Sequence, residues 1–183
     1  MKKETMELRD WTLCALLAAV MAVCAWISIP VLEIAFTMQT FAVFLTLGLL
    51  GGKRGTLTIL CYVLLGAVGL PVFTGFRGGV GVLLGVTGGY IAGFLCSGLV
   101  YWLVTGLLGE RLWVKVLGMA LGLLACYAFG SAWFMAVYFR GGNAIGLGTV
   151  LMKCVVPYLL PDAAKLALAL YLSSRLQRFV VKK

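Results

Sequence analysis

Residues 11–29 read WTLCALLAAVMAVCAWISI, a run without a charged side chain that ends against Pro30. Coiled at 1.5 Å per residue, a run of this length crosses the ~30 Å hydrocarbon core of a bilayer. Outward from it the chain repeats the pattern, with apolar runs at 36–50, 56–70, 90–108, 114–139 and 149–172. The breaks are helix-stopping sequence: GGKRG at 51–55, Pro71, a glycine-rich stretch at 74–89, and RGGNAIGLG at 140–148. Pro157 and Pro161 interrupt the last run. Composition agrees. The 183 residues are 63% hydrophobic and 11% charged, where a soluble domain is about half apolar and a quarter charged. The reading is an all-α integral membrane protein with six transmembrane helices in a single membrane domain, 1–183. A lead at 1–10 precedes the six-helix bundle at 11–172, and a basic tail follows at 173–183. No cleavable signal peptide is expected, because the first apolar run is long and lacks an A-x-A exit.

Fifteen Lys and Arg against six Asp and Glu give a net charge of +9. In a soluble protein that excess would suggest nucleic acid; here it is read against a membrane, with no nucleic-acid partner expected. With the N-terminus in the cytoplasm and alternating spans, the cytoplasmic cations are Lys2, Lys3, Arg9, Lys53, Arg54, Arg111, Lys115, Arg175, Arg178, Lys182 and Lys183. Arg77, Arg140, Lys153 and Lys165 remain outside or within the membrane. The opposite orientation inverts that distribution, and an odd number of spans separates the two basic termini. Six spans with both termini cytoplasmic satisfy the positive-inside rule.

Several chemistries are excluded or weakened. There is no histidine, which removes the usual neutral-pH base and the commonest metal ligand. No G-x-x-x-x-G-K-[ST] occurs, so ATP hydrolysis by a P-loop is excluded. Glu33 and Asp162 are the acidic residues away from the cytoplasmic ends. An enzyme would have to work through Asp or Lys alone, and that reading ranks low. Cys14, Cys24, Cys61, Cys96, Cys126 and Cys154 all lie in apolar segments without a C-x-x-C, and read as small apolar residues.

Four constellations remain. Pro161-Asp162-Ala163-Ala164-Lys165 places both charges on one helical face. It is either a self-neutralising pair or a polar binding site, and the cost of charge in a bilayer favours a cavity. The stretch Phe73-Thr74-Gly75-Phe76-Arg77, followed by Thr87-Gly88-Gly89-Tyr90, has glycines that let backbone approach a ligand and an arginine suited to an anion. Gly81, Gly85, Gly89 and Gly93 also recur every four residues, as do Gly118, Gly122, Cys126 and Gly130, which equally describes close helix packing. Ala15, Ala18, Ala19 and Ala22 make a flat strip on the first helix, for internal packing or for a partner subunit. Gln39, within Thr37-Met38-Gln39-Thr40, suits a polar ligand or an ordinary helix start. Trp133 and Tyr138 are candidates to line a pocket.

Taken in order, Thr37-Met38-Gln39-Thr40-Phe41, Gly69-Leu70-Pro71-Val72-Phe73, Thr87-Gly88-Gly89-Tyr90 and Pro161-Asp162-x-x-Lys165 resemble the BioY family, biotin-binding S components of energy-coupling factor (ECF) transporters. The likeness spans about residues 15–165. It departs at Val86, where the family usually has proline. The resemblance implies an S-component fold in a bacterial plasma membrane and capture of biotin from outside, with no other cofactor. It implies a transmembrane T component and two cytoplasmic ATPases as partners, with Ala15 and Ala19, and also Ala18 and Ala22, facing the T component. It carries the family's acid and lysine onto Asp162 and Lys165, and the loop after Leu-Pro-Val onto residues 74–81. Biotin's chemistry then suggests Asp162 and Gln39 for the ureido group, Arg77 and Lys165 for the carboxylate, and Phe73, Tyr90 and Trp133 for the rings. Lys165 has a second possible role, holding Asp162 ionised. An S component for another vitamin is the nearest alternative.

Overall fold

The computed structural model describes residues 8–30, 34–142 and 145–180. Glu33, the lead residues 1–7 and the cations Lys182 and Lys183 lie outside them. In chain order the elements are α1 (Leu8–Trp26), β1 (Ser28–Ile29), β2 (Phe36–Thr37), α2 (Gln39–Ala67), α3 (Val80–Leu84), α4 (Gly88–Leu108), α5 (Leu112–Arg140), α6 (Leu147–Cys154) and α7 (Val156–Val180). β1 and β2 form a short antiparallel pair, Ser28 opposite Thr37 and Ile29 opposite Phe36.

Among the described residues, α1, α2, α4 and α5 are each long and apolar enough to cross a membrane. The pair α6–α7, bent by 42°, makes a fifth span if taken as one. The chain is thus a multi-pass membrane protein. The two runs expected at 36–50 and 56–70 fall in one helix, α2, interrupted at Gly51 with φ 77° and ψ 179°. A side chain is strongly disfavoured in that conformation, and glycine is not. The chain reverses there. A Cβ built on Gly55 would lie 3.1 Å from the Cα of Leu47, whereas eight residues of continuous helix separate by about 12 Å. Gln39 and Tyr62, 23 positions apart, are hydrogen-bonded at 2.8 Å. The two limbs of α2 lie side by side.

The last run breaks at Val155 rather than at its prolines. Pro157 sits in the first turn of α7, where a missing N–H costs nothing. Pro161 lies inside α7 and cannot donate to the Pro157 carbonyl, which loosens the helix one residue before Asp162. α7 buries Tyr158, Asp162, Lys165, Ala169 and Ser173, a single stripe at helical spacing.

The recurring glycines divide at the start of α4. A Cβ on Gly93 would fall 2.8 Å from Cys126 Sγ, and one on Gly122 would fall 2.9 Å from the Ser97 carbonyl oxygen. Here α4 and α5 touch backbone to backbone, and Ser97 Oγ donates across the seam to Gly122 O at 2.7 Å. This half is the packing stripe. Gly81 and Gly85 instead face the cavity described next.

The opposite end of the bundle gathers the cationic turns. Arg54 pairs with Asp10 at 2.7 Å and Lys115 with Glu110 at 3.5 Å. Gln177 Nε2 donates to Gly48 O at 2.6 Å, tying α7 to α2 just before the Gly51 reversal.

Candidate functional site

A cavity of about 600 Å³ opens where α2, α4 and α7 begin, walled on one side by the middle of α5 and capped by the loop around Phe73–Arg77. That volume suits a small molecule. Its polar floor is built on α7. Asp162 and Lys165 are 4% and 5% exposed, so an unpaired charge here would be strongly disfavoured. Lys165 Nζ donates to Asp162 Oδ1 at 2.7 Å, to the Thr37 carbonyl at 2.7 Å and to Thr40 Oγ1 at 3.3 Å. It also lies 3.9 Å from the centre of the Phe36 ring. An ammonium has three protons, and all three are engaged by the protein. Asp162 Oδ1 accepts a second bond from Thr40 Oγ1 at 3.0 Å, and Oδ2 accepts from the Tyr127 hydroxyl at 2.6 Å. A carboxylate offers about four acceptor positions. One position on Oδ2 is left, and Asp162 lines the cavity.

Gln39 adjoins this network through the sequence neighbour Thr40. Its Oε1 accepts from Thr37 Oγ1 at 3.1 Å and from Thr74 Oγ1 at 3.2 Å. The capping loop is anchored from behind. Phe73 is fully buried, edge-on to Tyr62 with ring centres 5.7 Å apart. Phe73 N–H bonds to Arg77 O at 3.0 Å across a turn with positive φ at Gly75 and Phe76. Trp26 Nε1 donates to Pro71 O at 2.9 Å and stacks on Phe76. Arg77 lines the cavity from this exposed turn, so it stands at the mouth.

Of the residues singled out in the sequence, the cavity brings together Gln39, Phe73, Thr74, Gly75, Arg77, Tyr90, Asp162 and Lys165. Gly88, Gly89 and Trp133 stand behind its wall. Trp133 packs on Gly89 and donates from Nε1 to Gly85 O at 3.0 Å, which the Gly88 N–H also reaches at 3.1 Å. Two donors therefore pin the turn that carries Val86. Tyr127 and Tyr158 also line the cavity and were missed by the motif reading. Tyr158 donates its hydroxyl to Ile34 O. The available signal was a tyrosine far from the ends of an apolar run, where an aromatic belt residue is out of place.

Ala15, Ala18, Ala19 and Ala22 lie apart, in an apolar groove of about 590 Å³ between α1 and the second limb of α2. Ala15 and Ala19 are exposed; Ala18 and Ala22 are buried. Among the described residues no group of three or more Cys, Asp and Glu is placed to hold a metal.

Comparison with known proteins agrees in sequence and fold. The chain is 41% identical over 170 residues to "Biotin transporter BioY" of Thermotoga maritima, covering 90% of this chain and 94% of that protein. It is 36% identical over 172 residues to "Probable biotin transporter BioY" of Pyrococcus horikoshii, covering 94% and 98%. Its fold matches the crystal structure of the S-component for biotin from an ECF-type ABC transporter, with a TM-score of 0.81 at 24% identity over 95% of each chain. The BioY family profile matches residues 1–182, and the chain belongs to the BioY family.

Proposed function

We propose that this chain is the biotin-binding subunit of a vitamin uptake transporter in the cell membrane, taking biotin from the outer side. The observation that carries the reading is the buried Asp162 carboxylate, which lines the cavity and is held by Lys165, Thr40 and Tyr127 with one acceptor position to spare. A cyclic urea N–H fits that position, with Gln39 beside it. Because Lys165 has its protons engaged, its role is to hold Asp162, and Arg77 at the mouth receives the valerate carboxylate. Phe73, Ile91, Phe94 and Tyr90 supply an apolar wall for the thioether ring.

The Arg77 assignment has its own test. Arg77→Ala is expected to weaken biotin binding about tenfold, the equivalent of ~1.4 kcal/mol, measured by isothermal titration in detergent. Biotin methyl ester, lacking the anion, is expected to bind wild type and Arg77→Ala alike. Equal tenfold losses for acid and ester would contradict the pairing.

The single domain crosses the membrane six times in this reading: α1, the two limbs of α2, α4, α5 and the bent pair α6–α7. The cations of α1, the Gly51 reversal, the α4–α5 link and the α7 end then face the cytoplasm, with both termini. The cavity faces outward. Delivery inward is driven by two cytoplasmic ATPases through a T component, which docks on the α1 strip where Ala15 and Ala19 are exposed. Small residues there let another helix approach closely. Ala15→Trp with Ala19→Trp is expected to abolish biotin uptake by cells carrying the ATPase module. Purified protein should still bind biotin within twofold of wild type. Uptake at the wild-type rate would remove this face from the docking account.

A further inference from the structure

The hydrogen-bonding valences of Gln39 can be followed one at a time. The residue is 4% exposed. Its Oε1 accepts two hydroxyls, from Thr37 and Thr74, which fills both lone pairs. Its Nε2 donates one proton to the Tyr62 hydroxyl at 2.8 Å. The second Nε2 proton has no acceptor among the described residues, and Gln39 lines the cavity. What Gln39 has left for a ligand is therefore one N–H donor and no acceptor.

That polarity depends on which way the amide is turned, and the turn is fixed from outside the cavity. Tyr62 is fully buried and does not line the cavity. Its hydroxyl donates its one proton to the Val72 carbonyl at 2.9 Å. The phenolic oxygen is then an acceptor toward Gln39 and requires an N–H there. With the amide reversed, Tyr62 would have to donate to Gln39. The Val72 carbonyl, partly buried beside the capping loop, would lose its donor, at the cost of an unmet polar group.

We propose that Tyr62 is a specificity-determining positioning residue: through the chain Val72 O, Tyr62 OH, Gln39 Nε2 it fixes the cavity-facing edge of Gln39 as a donor, so that the floor selects a ligand carbonyl over a ligand N–H. The inference rests on the biotin reading, in which the ureido carbonyl meets Gln39 while a ureido N–H meets Asp162. The discriminating probe is 2-iminobiotin. It keeps the bicyclic skeleton and valerate but, at neutral pH, presents a protonated imine where biotin has its carbonyl. In wild type that N–H confronts the Gln39 N–H.

The test is competition of biotin and 2-iminobiotin at neutral pH for the full-length chain in detergent. Wild type is expected to prefer biotin strongly. Tyr62→Phe removes the acceptor that orients the amide and is expected to narrow the biotin-to-iminobiotin affinity ratio about tenfold. Gln39→Glu, with acceptors on both edges, is expected to narrow it further or invert it. A purely structural role for Tyr62 lowers both affinities together and leaves the ratio unchanged. That result in Tyr62→Phe overturns the proposal. If Tyr62→Phe does not fold, an unchanged ratio in Gln39→Glu overturns it instead. Failure of wild type to bind biotin would defeat the functional reading itself, whereas an unchanged ratio with biotin still bound defeats only this inference.

Discussion

Asp162→Asn is expected to weaken biotin binding about a hundredfold in the detergent-purified chain, read by isothermal titration. In the proposed reading the carboxylate does two jobs. It offers the acceptor position on Oδ2 that a ureido N–H requires, and it holds the Lys165 ammonium that braces Thr37 and Thr40. A hydrogen bond to a charged group contributes ~1.5–3 kcal/mol, or about ten- to a hundredfold in affinity. Loss of the bracing adds to that. Asparagine also leaves Lys165 buried without its counter-charge. Breaking one partner of such a pair costs ~3–5 kcal/mol of stability, so the melting temperature of Asp162→Asn should fall as well. Asp162→Asn with Lys165→Met separates the two effects, because no uncompensated charge remains. The double variant is expected to regain most of the wild-type melting temperature and still bind biotin weakly. Recovery of affinity along with stability would show that Asp162 serves folding alone.

Gly122→Leu should have an effect of comparable size without touching the cavity. A Cβ at Gly122 falls 2.9 Å from the Ser97 carbonyl oxygen and 3.2 Å from Ser97 Cα, both backbone atoms that cannot rotate away. A leucine must push α4 off α5 and break the bond from Ser97 Oγ to Gly122 O. Overpacking commonly costs ~1–3 kcal/mol, and more where the backbone must move. Tyr90 on α4 and Tyr127 on α5 line the cavity, so parting the helices also moves its wall. Loss of a monodisperse gel-filtration peak, or a large drop in melting temperature with weakened biotin binding, is expected. Gly106→Ala is the contrast. It lies on α4, where an added Cβ meets nothing within 4 Å. Alanine gains about 1 kcal/mol of helix propensity over glycine. A Gly122→Leu protein as stable as wild type would contradict the seam.

How much of this was legible in the sequence follows from the range of each signal. Charge scarcity in apolar runs is a local property, so the helices and the Asp162–Lys165 pair could be read directly. The i, i+3 spacing already put both charges on one face of α7. The Gly51 reversal was visible as a break in GGKRG, although not as one helix folded on itself, because local hydrogen bonding continues on both sides of it. The glycine repeat was ambiguous for a physical reason: period four serves a helix seam and a ligand-facing loop equally. Only the three-dimensional path shows the change of role between Gly85 and Gly89. Tyr127 and Tyr62 gave only one signal, their place inside an apolar run, and their partners were illegible. Each acts through one hydroxyl on a partner far along the chain, Asp162 at a separation of 35 and Gln39 at a separation of 23. No periodicity records such a contact. Trp133 was read as a pocket lining, whereas its indole reaches the Gly85 carbonyl from behind.

The most direct test of the central claim is equilibrium binding of radiolabelled biotin to the full-length wild-type chain. The protein should be purified in detergent from cells grown in biotin-depleted medium, so that the site starts empty. Saturable binding of one biotin per chain, displaced by excess unlabelled biotin and strongly reduced in the stable Asp162→Asn, Lys165→Met variant, is the result predicted here. A folded, monodisperse wild-type protein that shows no saturable binding, or a double variant that binds as wild type does, would contradict it.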